Sequence, residues 1–358
     1  MDARGGGVAA VSRLLWQTMH ARLDGSARLV ELARPDRGRA TSQTGLAERV
    51  RFGIEVAAVQ MGSVAQWTLF AHPAVAQVQQ FIPPRLRAPY AVFIHGIEVW
   101  RPLSAVQRRV LRQARLRLSN SSYTARRTED MHPDVGPIVP CPLALPPERP
   151  LSFPGRQAAV PTVLIVARIL RAESYKGHDQ LLECWPAVTA QVPSARLVVV
   201  GEGDDVVRLR EKASALGLGP TSVVFTGFVS ANELDTWYSE AWVFAMPSRG
   251  EGFGLVYLEA MAHGVPCIGS CEDAAGDVIV DGETGYLVEQ ADTASLAERL
   301  GRLLRDPSLC RELGEQGRRR VMSEFSYDQF SRRLEAAIVD AFGPSAWNGA
   351  PPKTAPAH

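Results

Sequence analysis

With 358 residues, 46% of them apolar, the chain is long enough for two domains of ordinary size, each with its own core. Thirty-nine basic against thirty-eight acidic side chains leave a net charge of +1, which argues against wholesale nucleic-acid binding. Cysteines 141, 184, 267, 271 and 310 lack metal-ligand spacing, no run approaches the roughly 18 apolar residues of a membrane span, and the opening residues lack a signal-peptide plan. Reduced thiols and a cytoplasmic protein are therefore expected.

In chain order, "RGGGVAAVSRLLW" sets Gly5, Gly6 and Gly7 before a predicted helix at 8–21. These glycines read either as a diphosphate cradle at a helix start or as a loose leader. Strands are predicted at 27–33, 67–71, 90–96, 115–120 and 137–140, with helices near 45–60, 104–114 and 122–130. The proline-rich stretch "PCPLALPPERPLSFPG" (140–155) breaks the pattern and reads as a linker. Strands are predicted again at 162–167, 196–201, 222–227, 242–247, 265–270 and 285–288. Helices are predicted near 177–190, 204–216, 231–240, 254–263, 293–305, 308–324 and 326–341. Alternating strands and helices of this kind give an α/β fold with two doubly wound parallel sheets, which bind ligands outside the carboxyl ends of their strands.

The loops after strands carry the informative residues. "SRGEGFGLVYLEAMAHGVPC" (248–267) follows a strand and opens a helix. Its glycines permit a tight turn, and the amides of Phe253, Gly254 and Leu255 would be the unpaired donors of a helix start, suited to phosphate. Glu259 lies in an apolar helix, where an unpaired carboxylate is costly; it is placed either to accept from a ribose diol or to face solvent. Glu251, in the turn itself, is placed to touch what lies beyond the phosphate. In "ARILRAESYKGHD", Arg168 ends a strand and Lys176 precedes a helix, so a planar fork and a point charge can both reach a diphosphate. No Asp-x-Asp pair is present, so these cations and the helix dipole are expected to neutralise a leaving diphosphate without a metal ion or any other cofactor. "FIHGIEVW" (93–100) adds His95 and Glu98 at a strand end, where a histidine is either a packed residue or a cleft group.

Together these residues resemble the retaining glycosyltransferases of family 4, with the resemblance densest from 162 to 290. "EGFGLVYLE" is similar to that family's E-x7-E motif and "VARILRAESYKGHD" to its donor-phosphate loop, while "VVVGEGDD", "VVFTGFVS" and "DVIVDGETGYLV" are similar to other landmarks. The resemblance implies the GT-B fold, two Rossmann-like doubly wound domains facing a cleft. Residues 1–145 would hold the acceptor, 146–160 would be the linker and 161–325 would bind a nucleotide sugar. A helix at 326–342 would cross back to the first domain, ahead of a disordered tail at 343–358.

Arg168, Lys176 and the backbone of Gly252, Phe253, Gly254 and Leu255 would then hold the diphosphate, and Glu259 the ribose. Phe228 and Val229 would lie against the base, Gly6 and Gly7 would form a glycine loop, and Glu251 and His95 would be the catalytic groups beside the transferred sugar. Two departures stand out. Arg168 and Lys176 are eight positions apart, where many family members have a shorter gap. Only "MDAR" precedes Gly5, too short and polar for the family's buried first strand. Either the start is truncated or a strand position beside 27–33 is empty, and poor folding is expected.

Eight arginines (101, 108, 109, 112, 115, 117, 126, 127) fall between Val99 and Thr128 without an acid. They read as a face for anionic lipid at the inner side of a membrane, or as a solvated helix face. The implied activity is retaining transfer of a hexose from GDP-mannose or UDP-glucose to a glycan or lipid-linked acceptor. The alternative is a non-catalytic nucleotide-sugar binder or scaffold with a degenerate acceptor domain.

Overall fold

The computed structural model describes residues 6–23, 26–32, 45–62, 65–147 and 158–347. It divides into two compact units, one from Pro142 to Gln329 and the other made of residues up to Cys141 together with those from Phe330 onward.

In the N-terminal unit, α1 (Gly6–Arg22) and α2 (Leu46–Met61) precede β1 (Thr68–Phe70), a short α3 (Pro73–Ala76) and two 3-10 turns. β2 (Tyr90–Ile94), α4 (Ala105–Gln113), β3 (Leu116–Ser119), α5 (Ser122–Met131) and β4 (Val139–Pro140) complete it before the return helix. The four strands are parallel and ordered β1-β2-β3-β4. β2 "YAVFI" and β3 "LRLS" are buried at every position, the pattern of parallel strands covered on both faces. Serines cap the helices that follow: Ser104 Oγ accepts from the Gln107 amide and Ser121 Oγ from the Thr124 amide. No strand lies beyond β1 among the described residues.

The strand predicted at 27–33 is not formed: residues 26–32 have no regular structure, and Ala33 lies outside the described residues. Val30 and Leu32 still pack on the core, but the carbonyls of Glu31 and Leu32 accept from the Arg51 guanidinium at 2.9 Å instead of from a neighbouring strand. Proline at 73 and 84 starts turns of helix between β1 and β2 that the periodicity did not reveal. Gly6 and Gly7 form the first turn of α1, so they are not a loose leader; Gly5 lies outside the described residues.

The C-terminal unit holds the six-stranded sheet β10-β9-β8-β5-β6-β7, parallel throughout. Its strands are β5 (Thr162–Val166), β6 (Arg196–Val200), β7 (Val223–Gly227), β8 (Val243–Ala245), β9 (Cys267–Ser270) and β10 (Gly285–Val288). Between them run α6 (His178–Gln191), α7 (Val206–Ala215), α8 (Ala231–Glu240), α9 (Leu255–Ala262) and a short α10 (Ala275–Val278). α11 (Thr293–Arg305) and α12 (Pro307–Glu324) follow. Strand order reverses between β5 and β8, so the chain leaves those neighbours in opposite directions and opens a crevice at their carboxyl ends.

Two expectations along the chain, the linker and the tail, need correction. The stretch read as a linker from residue 140 is buried at Cys141, Leu143, Ala144 and Leu145, and Ala158 is already hydrogen-bonded to Glu240 and Trp242. Residues 148–157 of that linker lie outside the described residues. The tail is ordered as far as Trp347, which is buried, and Trp67 Nε1 donates to the Ala346 carbonyl at 3.2 Å; 348–358 lie outside the described residues. α13 (Tyr327–Phe342) belongs to the N-terminal unit from Phe330, where Phe342 stacks on Trp67 at 5.0 Å.

Candidate active site

The crevice between β5 and β8 is lined by the loops that follow those strands. After β5 the chain passes Arg168 and makes a 3-10 turn over Arg171–Lys176. After β8 it makes the glycine-rich turn and enters α9. α9 is buried from Tyr257 to Ala262, as its nearly unbroken apolar sequence requires. Two glycines in the turn are obligatory. Gly254 has φ +85°, and a Cβ there would lie 2.4 Å from the Tyr257 ring. A Cβ on Gly250 would lie 2.8 Å from the Tyr175 ring, so only glycine lets the two loops approach.

The two loops meet at an ion pair. Lys176 Nζ lies 2.8 Å from Glu251 Oε2, with side chains 16% and 19% exposed. Burial opposes the charge on Lys176, but the Glu251 carboxylate, through charge and hydrogen bond together, outweighs it and holds the ammonium above its usual pKa. Arg168 is exposed and pairs with Glu173, whose negative charge also faces Lys176. Backbone bonds join the loops further: the Arg249 amide donates to the Tyr175 carbonyl at 3.0 Å, and the buried Gln290 Nε2 donates to Tyr175 O and Pro247 O at 2.7 Å each. The amides of Phe253, Gly254 and Leu255 have no acceptor among the described residues. Two cations and a helix start with free donors thus line one crevice, an arrangement matched to a diphosphate.

Glu259 does not face solvent. It is 4% exposed, and its Oε2 accepts from the Tyr238 hydroxyl at 2.8 Å. Phe228 is half exposed and, with Val229, follows β7 on the far side of β6.

His95 belongs to the N-terminal unit. It is buried, its Nε2 lies 2.7 Å from the Ala71 carbonyl, its amide donates to Glu98 at 2.6 Å, and its ring stacks on His72. Burial lowers its pKa, against the pull of Glu98, so the ring is neutral at pH 7. Gly6 and Gly7 belong to that unit as well, at the start of α1.

The sequence did not single out Tyr238, Ser248, Asp273 or Gln290. Their partners are backbone groups or side chains distant in the chain, and only the position of Asp273 after a strand hinted at a role.

Fold and crevice together define the class: an α/β protein of GT-B type with two parallel-sheet units, the second carrying a crevice at the carboxyl ends of β5 and β8. The chain belongs to the glycosyl transferases group 1 family, whose pattern matches residues 155–320. It is 30% identical over 260 residues to the GDP-mannose-dependent alpha-(1-6)-phosphatidylinositol monomannoside mannosyltransferase of Mycobacterium tuberculosis, covering 67% of this chain and 66% of that one. It is 34% identical over 181 residues to the protein of the same description from Mycolicibacterium smegmatis, covering 49% and 46%. The chain thus spans from about half to about two thirds of the length of such relatives. Sucrose-phosphate synthase from Thermosynechococcus elongatus shares the fold with a TM-score of 0.75 at 23% identity, over 94% of each chain. Lipopolysaccharide outer core galactosyltransferase WaaB does so with a TM-score of 0.69 at 15% identity, over 94% and 97%.

Proposed function

We propose that the protein is a retaining glycosyltransferase that moves mannose from GDP-mannose to a lipid-linked acceptor without a metal ion. The observation that carries the reading is the Lys176–Glu251 pair beside the unpaired amides of residues 253–255. The descriptions of the mycobacterial relatives favour mannose and a phosphatidylinositol-based lipid. In the bound state Lys176, Arg168 and the amides hold the diphosphate, Glu259 the ribose, and Phe228 and Val229 the base. Glu251 contacts the sugar.

During transfer the bond from the anomeric carbon to the phosphate oxygen breaks while the acceptor oxygen bonds the same face. The departing phosphate oxygen takes the acceptor's proton. Charge grows on the diphosphate, where Lys176, Arg168 and the dipole of α9 stabilise it. No side chain acts as nucleophile, so Glu251 and Glu259 are not the flanking carboxylates of a glycosidase.

Peripheral contact with anionic lipid is part of the proposal. Of the eight clustered arginines, Arg117 is buried on three carbonyls, Arg108 and Arg112 pair with Asp134, Arg115 donates to the Ala341 carbonyl and Arg127 stacks on Trp100, which leaves Arg101, Arg109 and Arg126 exposed and unpartnered among the described residues. Purified protein with GDP-mannose and vesicles containing phosphatidylinositol and its monomannoside is expected to release GDP, label the lipid with mannose and float with anionic vesicles. Binding of GDP-mannose without transfer to any lipid would favour the non-catalytic binder instead.

A further inference from the structure

The turn that carries Glu251 is held from behind by a second carboxylate. Asp273 lies three residues past the end of β9 and is 3% exposed. Its Oδ2 accepts from the Glu251 amide and its Oδ1 from the Ala275 amide, each at 2.9 Å, and the Ser248 hydroxyl also donates to it. Ser248 Oγ in turn accepts from the Gly250 amide at 3.2 Å, and the Glu251 carbonyl accepts from the Ala274 amide at 3.1 Å. One carboxylate therefore fixes two consecutive amides of the turn, that of Glu251 directly and that of Gly250 through Ser248.

Packing alone does not call for this arrangement. A buried carboxylate is costly, and here it stands beside Glu251, a charge of the same sign. Unfavourable charge placement held together by directed hydrogen bonds is a mark of a functional region. We propose that Asp273 is a positioning residue for the reaction argued above, and the inference rests on that reading: its carboxylate holds the 248–251 turn in the shape that aims Glu251 at Lys176 and at the transferred sugar.

A pH dependence follows from the same geometry. Burial, and to a lesser degree the charge of Glu251, pushes the Asp273 carboxyl up to about 7, against the three hydrogen bonds it accepts. The titratable groups facing it are Glu251 from the turn, Tyr257 from α9 and Cys271 from the end of β9, with Lys176 beyond Glu251. A neutral carboxyl carries a proton on one oxygen, which makes that oxygen a weak acceptor and adds a donor where three donors already converge, so turnover should fall as pH drops through about 7. Global stability should move the other way. A carboxyl whose pKa is raised in the fold contributes stability that is full below the unfolded value of about 3.9 and is lost as pH rises through the folded one.

The test compares the wild type with Asp273→Asn and Ser248→Ala, using GDP-mannose and the vesicles named above from pH 5.5 to 8.5, with GDP affinity measured in parallel. At pH 8 Asp273→Asn is expected to lower kcat about 30-fold with GDP affinity unchanged within about 2-fold, and to abolish the acid limb near 7. Ser248→Ala is expected to lower kcat less and to keep the limb. An active wild type matched in kcat by Asp273→Asn overturns the inference, as does a limb that persists in that variant or a parallel loss of GDP affinity. A wild type that neither binds GDP nor transfers mannose overturns the functional reading, and this inference with it.

Discussion

Replacing Lys176 by Met keeps the length and volume of the side chain and removes its charge. Glu251 is then left 19% exposed without its partner at 2.8 Å. Breaking a fully buried pair costs about 3–5 kcal/mol, and partial solvent access here brings that to about 2 kcal/mol. Glu251→Gln should cost a similar amount from the other side. The double variant removes both charges and should return to within about 1 kcal/mol of the wild type in a urea titration, because neither group is left stranded. Turnover should not return with it. If Lys176 stabilises the departing diphosphate, its loss costs about 3 kcal/mol in the transition state, a 100-fold fall in kcat or more. A pair with only a structural role would recover stability and turnover together. Recovery of kcat to within about 3-fold of the wild type in Lys176→Met/Glu251→Gln would therefore refute the reasoning.

Gly254→Ala should place a Cβ against the Tyr257 ring, whose hydroxyl is fixed on the Met246 carbonyl, and is expected to cost more than 2 kcal/mol and weaken GDP binding at least 10-fold. Gly217→Ala is the control by thermal unfolding and GDP titration: its φ of +72° carries the same backbone strain, but nothing lies within 4 Å of the new carbon, so about 1 kcal/mol of stability and no affinity should be lost. Glu259→Ala should weaken GDP by about 1–3 kcal/mol yet leave the affinity for 2′,3′-dideoxy-GDP unchanged. Equal losses for both nucleotides would reduce Glu259 to a support for Tyr238.

The second unit was legible strand by strand. The runs "VLIV" (163–166) in β5 and "LVVV" (197–200) in β6 are apolar without a break because parallel strands are covered on both faces. The Lys176–Glu251 contact was half legible. Each residue could be placed at the end of a strand, but that β5 and β8 are neighbours is a property of the sheet order and not of any local window. The segment "ARLVELA" was misread because alternation reports only which side chains are buried. Val30 and Leu32 do lie against the core, while the donor to the Glu31 and Leu32 carbonyls, Arg51, lies 19 or 20 positions on. Asp273 was missed for a related reason: it acts on the amide of a residue 22 positions earlier, and a carboxylate bound to main chain has no partner in the sequence pattern.

The central claim is that this crevice holds a nucleoside diphosphate with protein cations and main-chain amides alone. Calorimetric titration of GDP into the protein in excess EDTA tests it most directly, with Lys176→Met and Arg168→Ala measured alongside. The account predicts binding in EDTA that Mg²⁺ changes less than about 2-fold and that each variant weakens about 10-fold, the size of one charge-assisted hydrogen bond. Binding that appears only when Mg²⁺ or Mn²⁺ is added, or that both variants retain in full, would contradict it.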